Sequence, residues 1–288
     1  MPAHRIAYID LAPAVGGSII SLFHLVKGLD RTRFEPCVIL SSSNEYASRF
    51  QDLGISVLTV DAGTGRTTAP RQASPAQRDR WTDLRSSSLA SKLRRSAFGQ
   101  SLVHLVGFYG RTWPTLRRTA RTLSELLVAC RPDLVHLNDV VCVSRAGIMA
   151  AKRLGLPAIC HLRAMAWRTH YDRWLSRSLK GYICISQAVD RYQSSLGGRT
   201  SPSWVVHNGL DLREFEALPD RFALRKELTD LALAPDDQVI GSVGRLVEWK
   251  GHHIFLRALA QVAPNYPRLR ALVVVAPEAN STDYAQHL

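Results

Sequence analysis

The stretch RIAYIDLAPAVGGSIISLFHLVKGL, residues 5–29, shows the pattern that decides the fold of this chain. It begins with a short apolar run, Arg5–Ile9, which is typical of a buried β-strand. A loop with a glycine pair then leads into Ser18–Leu29, whose apolar residues have the spacing of a helix. A strand, a loop and a helix in this order predict one βα unit of a parallel sheet.

The same alternation repeats along the chain. Strands are predicted at Arg5–Ile9, Pro36–Ser41, Ser56–Val60, Leu134–Leu137, Ala158–His161, Tyr182–Ile185 and Trp204–His207. Helices are predicted at Ser18–Leu29, Glu45–Leu53, Leu116–Cys130, Ser144–Leu154 and Gln187–Leu196, and the last four end near a glycine or a proline. We therefore expect an α/β fold in which these seven strands form one doubly wound, parallel-sheet domain.

The composition excludes several classes of protein. The chain has 288 residues, 46% of them hydrophobic and 21% charged, which is enough to bury a sizeable core and excludes wholesale disorder and collagen-like or coiled-coil architecture. No run is long and apolar enough to span a bilayer, and the N-terminus lacks a signal-peptide layout, so we expect a cytoplasmic protein. The five cysteines form no CxxC pair, so we expect neither a disulfide framework nor a metal site.

The positive charge is concentrated in one segment. The chain carries 37 Lys and Arg against 24 Asp and Glu, a formal net charge of +13. Residues 64–121 contain 12 Lys and Arg against two acids, so this segment accounts for +10. Its composition, rich in Thr, Ser, Pro, Gln and Arg at the start, predicts a basic insertion over residues 62–115. Such a segment is typical of a surface that faces phosphate groups.

Two interpretations of the basic segment stay open. Apolar residues between Leu89 and Tyr109, with Lys92, Arg94 and Arg95, fit a basic amphipathic element that lies in an anionic membrane surface. The same pattern fits an ordinary helix with a solvated basic face. An alternative from a different functional class is a noncatalytic polyanion- or nucleic-acid-binding protein, although the segment contains no recognisable nucleic-acid module.

The strand and helix pattern restarts beyond His207. A helix is predicted within Pro219–Leu231, followed by strand Val239–Val243, loop Gly244–Gly251, helix His252–Ala263 and strand Arg270–Ala276. Two strands are few for an independent parallel-sheet domain. We therefore expect a complete domain over residues 1–212, an incomplete second domain over residues 213–288, and a chain that is a fragment or a prematurely ended product.

Two loops carry residues that we expect to bind a ligand. Gly16 and Gly17 lie at a strand-to-helix turn, where exposed N–H groups favour an anion or a hydroxyl-rich group. They do not form the three-glycine fingerprint of dinucleotide-binding proteins. Arg245 and Lys250 lie on the loop after a predicted strand, where open α/β sheets bind ligands, and their charges suit a diphosphate.

Three motifs carry a resemblance to a known family. They are the Gly16-Gly17 loop, VVHNGLDLREF at residues 205–215 and GSVGRLVEWKGHHIFLRAL at residues 241–259. In their order and approximate spacing they are similar to the retaining family 4 glycosyltransferases of GT-B fold. The resemblance implies two Rossmann-like domains with a cleft between them, an acceptor bound mainly by the first domain and a nucleotide-sugar donor bound mainly by the second.

The resemblance also implies roles for individual residues. Arg245 and Lys250 would hold the donor diphosphate, and Gly16 and Gly17 would approach the donor phosphates or the reacting sugars. His161 stands where family members often carry a histidine beside the donor sugar, so its imidazole would align the donor through a sugar hydroxyl. Asn208 and Gly209 would shape the wall between the domains, and Asp211 and Phe215 would begin the crossover. Further candidates to line the cleft are Arg163 and the residues that end the preceding strand, His136, Asn138 and Asp139. Asp139 equally fits a helix N-cap. No metal and no cofactor besides the nucleotide-sugar substrate is expected.

The chain departs from the family pattern in its C-terminal part. Members carry a spaced pair of glutamates that contact the donor sugar and the ribose, and this pair would lie beyond Leu288. The glycine-rich turn that usually follows the last strand is replaced by VAPEAN, residues 275–280. We therefore expect an incomplete donor site and a chain without normal transferase activity.

The function that the resemblance implies is that of a glycosyltransferase, or the remnant of one. It would transfer a sugar with retention from a nucleotide sugar to a lipid-linked or polysaccharide acceptor in cell-surface glycan biosynthesis. We expect an anionic membrane surface as a further partner through residues 64–121, a peripheral position on the inner face of the cytoplasmic membrane, and no nucleic acid. Positioning and phosphate stabilisation would supply most of the rate, since retaining transfer without a covalent intermediate needs no carboxylate nucleophile.

Overall fold

A computed structural model of the protein describes residues 3–12, 15–61, 112–197, 200–216, 220–228, 231–276, 282–286 and 288. The chain divides into two units, Met1–Leu210 and Asp211–Leu288. Most of the predicted basic insertion, residues 62–111, lies outside the described residues, and so does the predicted amphipathic element within it. The predicted domain bounds, 1–212 and 213–288, stay a prediction.

The first unit is built on a sheet of seven parallel strands. The strands are β1 (His4–Asp10), β2 (Phe34–Ser41), β3 (Ser56–Val60), β4 (Leu134–Leu137), β5 (Ala158–Leu162), β6 (Gly181–Cys184) and β7 (Ser203–Val205). Their order across the sheet is β3-β2-β1-β4-β5-β6-β7. The predicted parallel α/β fold and its seven strands are confirmed, because every strand is present within two residues of its predicted bounds.

Six helices accompany this sheet in the described part of the first unit. They are α1 (Gly17–Lys27), α2 (Tyr46–Asp52), α3 (Trp113–Cys130), α4 (Arg145–Leu154), α5 (His170–Ser176) and α6 (Gln187–Ser195). The five predicted helices are confirmed, and the glycines predicted to end α2 and α4, Gly54 and Gly155, have a left-handed backbone with φ of +67°. A side chain with a Cβ is strained in this conformation, which explains why each helix ends there.

Helix α5 was not predicted from the sequence. It begins with a capping box, in which the Thr169 hydroxyl accepts a hydrogen bond from the Asp172 N–H, while the Asp172 carboxylate accepts one from the Thr169 N–H. The Thr-x-x-Asp spacing was the available signal, but this helix has only seven residues and little apolar periodicity.

The two faces of the sheet are both buried. Helices α1 and α2 cover one face, where Ile19, Leu22 and Phe50 pack against alternate residues of β1 and β2. Helices α3 and α4 cover the opposite face, where Leu127 and Ile148 pack against the other alternate residues of the same strands. This two-sided burial is the reason why the strands read as nearly continuous apolar runs in the sequence.

The second unit contains a pair of parallel strands and the helix that connects them. Its elements are α7 (Arg213–Glu216), α8 (Arg221–Glu227), β8 (Gln238–Arg245), a 3-10 turn (Glu248–Lys250), α9 (His252–Val262), a second 3-10 turn (Ala263–Asn265), β9 (Leu269–Ala276) and α10 (Thr282–Ala285). The predicted loop Gly244–Gly251 begins two residues later than expected, since Gly244 and Arg245 still pair with β9.

Candidate functional site

The first unit has a switch point at the carboxyl ends of β1 and β4. The chain places β2 and β3 on one side of β1 and then crosses to the other side to form β4. In open α/β sheets, ligands bind outside the strand ends at such a point. Asp10 is the last residue of β1, and Asn138 follows the last residue of β4. These two side chains are therefore placed where a ligand is expected.

Buried polar side chains hold the loop between β1 and α1. The Asn138 side-chain amide donates to the Asp10 carboxylate at 2.7 Å and to the Ser18 carbonyl at 3.1 Å. Asp10 also accepts a hydrogen bond of 3.0 Å from the Ala12 N–H, and the Asn44 amide donates to the Ala12 carbonyl at 3.2 Å. Because the exposed fractions of Asp10, Asn44 and Asn138 are 1%, 4% and 0%, this network is shielded from water. It fixes the backbone at both ends of the glycine loop.

The glycine pair lies within that fixed loop. Gly16 is the N-cap residue of α1 and Gly17 is its first residue. A Cβ added at either glycine would meet no atom within 4 Å, so neither glycine is required by packing in the described structure. Because neither glycine has a side chain, an anion or a hydroxyl can approach the N–H groups at the start of α1.

Arg163 connects the switch point to the segment that precedes the second unit. Its guanidinium donates to the Asn138 side-chain oxygen at 2.6 and 3.1 Å. It also donates to the Asn208 side-chain oxygen at 2.7 Å. The structure thus brings together three of the predicted site residues. A Cβ added at Gly209, which follows Asn208 in the chain, would meet no atom within 4 Å.

Two histidines lie side by side at the ends of β4 and β5. His136 Nε2 and His161 Nδ1 are 3.2 Å apart, so one of the rings donates to the other. Burial lowers the pKa of His136 to about 3 and that of His161 to about 2, and the nearby Arg163 charge adds to both shifts. Both rings are therefore neutral at physiological pH. His161 Nε2 is buried and has no hydrogen-bond partner in the part of the chain that the structure describes.

The carboxylates near Arg163 also have shifted pKa values. Burial raises the pKa of Asp10, although the hydrogen bonds from Asn138 and Ala12 partly oppose it. Burial likewise raises the pKa of Asp139 to about 6. Arg163 itself is desolvated, which lowers its pKa to about 10 despite the two carboxylates. Shifts of this kind concentrate at functional sites, and the charges here are held without full hydration.

We expect the Asp139→Asn variant to be more stable than the wild type at neutral pH. The carboxyl of Asp139 has a folded pKa of about 6 against an unfolded value of ~3.9, so its ionisation costs at most about 3 kcal/mol. The folded state binds the extra proton, so wild-type stability should fall as pH rises between these two values. Asparagine keeps an oxygen that accepts from the Val140 N–H. Chemical denaturation at several pH values checks this, and Asp52→Asn, at an exposed aspartate, is the control. If the stability of Asp139→Asn depended on pH in the same way as that of the wild type, the prediction would be contradicted.

The predicted diphosphate-binding residues lie in the second unit. Arg245 is the last residue of β8, and Lys250 ends the 3-10 turn that follows. The exposed ring of Trp249 lies beneath both cations, with its centroid 5.4 Å from Arg245 Cζ and 4.6 Å from Lys250 Nζ. Nε2 of the buried His252 ring lies 3.0 Å from the Arg245 carbonyl oxygen, and this contact fixes the end of β8. One exposed ring thus keeps two cations near each other.

Two residues of the buried polar network were not found by sequence reasoning. Asp10 and Asn44 were missed, although Asp10 ends the first strand and a carboxylate at a strand end was an available signal. Nothing in the sequence indicated Asn44, whose contact with Ala12 depends on how β2 lies beside β1. Among the described residues, no group of three or more His, Cys, Asp or Glu side chains could hold a metal ion.

Comparison with known proteins identifies similar sequences and folds. The profile of Glycosyltransferase Family 4 matches residues 45–214, which is more than half of the chain. No curated protein matches the chain in sequence. Within the described residues, no helix is both long and apolar enough to cross a membrane.

Three solved structures illustrate the structural similarity. Anabaena HepE in complex with UDP and glucose is 20% identical, with a TM-score of 0.66 over 99% of this chain and 64% of that one. A glycosyltransferase from Rickettsia africae is 11% identical, with a TM-score of 0.64 over 100% and 64% of the two chains. S. aureus MnaA with UDP is 11% identical, with a TM-score of 0.56 over 99% and 65%. The chain thus spans less than two thirds of the length of these proteins, and the predicted GT-B-like α/β fold is confirmed.

Proposed function

The chain belongs to Glycosyltransferase Family 4, and from this membership we propose that it transfers a sugar with retention from a nucleotide-sugar donor to an acceptor hydroxyl. The observation that carries the proposal is the buried His161 Nε2 on β5, next to the switch point, which has no hydrogen-bond partner among the described residues. A buried polar atom without a partner is costly, and a ligand hydroxyl would remove that cost. Because the ring is neutral, Nε2 either accepts from or donates to a sugar hydroxyl, according to its tautomer.

The donor phosphates are the second part of the proposal. Arg245 and Lys250 bind the diphosphate, the arginine through its planar fork and the lysine as a point charge. The N–H groups at the Gly16-Gly17 turn offer a further site for phosphate or sugar oxygens. HepE has been solved with UDP-glucose, which makes this compound the natural probe for the present chain.

The proposed reaction needs no carboxylate nucleophile. The bond between the anomeric carbon and the diphosphate oxygen breaks, and its electron pair stays on the diphosphate. The acceptor oxygen forms the new bond on the same face of the sugar, and its proton passes to the departing phosphate oxygen. Preorganised cations stabilise the charge that grows on the diphosphate, and the site contributes chiefly by positioning.

For the acceptor we propose a lipid-linked or polysaccharide glycan, in cell-surface glycan biosynthesis. The support is the basic segment 64–121 of the sequence, whose charge suits an anionic surface. We propose on the same ground that the protein works at the inner face of the cytoplasmic membrane.

Retention is tested by the anomer that is formed first. The protein is used at high concentration, since an incomplete donor site is expected to turn over slowly. It is incubated with UDP-glucose, in which glucose has the α configuration, and proton NMR follows the sugar as it is released to water or transferred. The proposal predicts that the α anomer appears first and then equilibrates. Initial formation of the β anomer would contradict retention.

We expect the His161→Ala variant to lose part of the preference for UDP-glucose over UDP. One neutral hydrogen bond is worth about 0.5–1.5 kcal/mol, so the dissociation constant for UDP-glucose should rise about 2–10-fold. The value for UDP should not change, because UDP lacks the glucosyl group that is proposed to contact His161. Calorimetry with both ligands checks this, and His170→Ala, an exposed histidine of the same unit, is the matched control. Equal losses for both ligands would show that His161 does not contact the sugar.

A further inference from the structure

Helices α3 and α4 carry a dense group of cations on the outer side of the first unit. The group consists of Arg117, Arg118, Arg121, Lys152 and Arg153, all exposed, and is called the α3–α4 basic surface below. None of the five makes an ion pair with a carboxylate among the residues that the structure describes. The sequence separates Arg121 from Lys152 by thirty residues, so only the fold brings the two sets together.

Two adjoining cavities lie on this surface. The first, of about 350 Å³, is lined by Arg117, Arg121 and Arg153 together with Ala120 and Met149. The second, of about 250 Å³, is lined by Pro114 and by three arginines of α3 that include Arg117 and Arg121. Guanidinium groups therefore line recesses as well as a convex helix face. Such recesses concentrate positive potential and attract anions.

The helix dipoles explain only part of this group of cations. Lys152 and Arg153 lie in the last turn of α4, where the helix dipole favours cations. Arg117 and Arg118 lie in the first half of α3, where that dipole gives cations no advantage, although Arg117 Cζ lies 5.9 Å from the ring centroid of Trp113. An external anion would give the arginines of α3 a favourable charge contact.

Aromatic side chains adjoin the cations. Lys152 Nζ lies 4.1 Å from the ring centroid of Trp174, whose exposed fraction is 50%. Trp174 stacks on Tyr171, and Tyr171 in turn meets Trp113 edge to face. Tryptophan and tyrosine beside Lys and Arg are typical of protein surfaces at the head-group level of a membrane. A nucleic-acid platform would need open ring faces for base stacking, whereas the ring of Trp174 is engaged by Lys152 and Tyr171.

We propose that the α3–α4 basic surface binds the phosphate head groups of an anionic lipid bilayer. The inference rests on the membrane position proposed above and deepens it by naming the residues that make the contact. It does not depend on sugar transfer, because none of these residues belongs to the proposed donor site. It rests on charge complementarity, on the two arginine-lined cavities and on the adjoining aromatic cluster. Arg117, Arg118 and Arg121 belong to the segment 64–121 that the sequence indicated, and the fold adds Lys152 and Arg153 of α4 to the same contact.

The test compares vesicle binding by variants of equal net charge. The whole chain is sedimented with vesicles of phosphatidylglycerol and phosphatidylcholine, and separately with phosphatidylcholine alone. The test variant is Arg117→Gln, Arg121→Gln, Arg153→Gln. The control is Arg31→Gln, Arg191→Gln, Arg257→Gln, which removes three exposed cations from other elements. Circular dichroism confirms that both variants remain folded.

We expect the wild type to bind the anionic vesicles in low salt and to be released in high salt. Each cation near an anionic surface contributes about 1 kcal/mol, so the test variant should bind about 100-fold more weakly and the control should keep most of its affinity. Equal losses in both variants, or binding that ignores lipid charge, would overturn the proposal. The proposal would also be overturned if the surface bound free pyrophosphate but not the anionic vesicles. It would likewise be overturned if the protein preferred a single-stranded oligonucleotide to the vesicles.

Discussion

The Arg245→Ala, Lys250→Ala double variant is expected to bind UDP-glucose about 100-fold to 10,000-fold more weakly than the wild type. Hydrogen bonds to charged groups are worth about 1.5–3 kcal/mol each, and this variant loses two cationic donors to one diphosphate. The side chains are close to each other over Trp249, so one ligand group meets both. The loss is therefore expected to concern the diphosphate and not the sugar.

A matched variant separates this effect from a general loss of charge. Arg257 is an exposed arginine on α9 of the same unit, and Arg257→Ala should bind UDP-glucose like the wild type. Calorimetry gives the dissociation constants, and glucose, which lacks the diphosphate, serves as a second ligand. If the double variant and Arg257→Ala had the same affinity for UDP-glucose, Arg245 and Lys250 would not be diphosphate ligands.

The Asp172→Ala variant is expected to lose about 3–5 kcal/mol of its unfolding free energy, because it removes the carboxylate that pairs with the buried Arg145. Asp172 is fully buried and Arg145 is 8% exposed. Their two hydrogen bonds are 2.6 and 2.8 Å long, and Thr169 donates two more to the same carboxylate. The pair ties α4 to the start of α5.

The pH dependence of stability gives an independent check on this pair. Burial alone would raise the pKa of Asp172, but the hydrogen bonds and charge of Arg145 outweigh it, so the pKa lies below the usual range. The contribution is therefore present above the unfolded pKa of ~3.9 and is lost as pH falls below it. Denaturant unfolding across this range should show the loss in the wild type but not in Asp172→Ala.

The exposed Arg5–Glu35 pair is the natural control for the buried one. Its side chains are 38% and 54% exposed, so Glu35→Ala should cost no more than about 1 kcal/mol. A cost for Asp172→Ala as small as that for Glu35→Ala would show that the buried pair does not stabilise the fold.

The fold of the first unit could be predicted from the sequence because its signals are local. Buried strands such as Leu134–Leu137 are short apolar runs, and glycines such as Gly155 end the helices at left-handed positions. Helix α5 was not predicted because it is short and because its capping box contains Asp172 where glutamate or glutamine is usual. Local periodicity carries little information over two turns.

The site could be predicted only in part, because its contacts join distant strands. His161, Arg163 and Asn138 were found as polar residues at strand ends and through the family resemblance. The hydrogen bond from Asn138 to Asp10 depends on β4 lying beside β1, which no local pattern encodes. The same reason applies to the α3–α4 basic surface, whose two halves are far apart in the sequence.

The central claim is that this chain binds a nucleotide sugar through both its diphosphate and its sugar. Saturation-transfer NMR of UDP-glucose with the whole 288-residue chain tests it most directly. We expect saturation of the glucose protons and, in phosphorus NMR of the same sample, broadening of both diphosphate signals, and we expect the Arg245→Ala, Lys250→Ala variant to lose both effects. Absence of any transfer to UDP-glucose, or equal transfer with the double variant, would contradict the account.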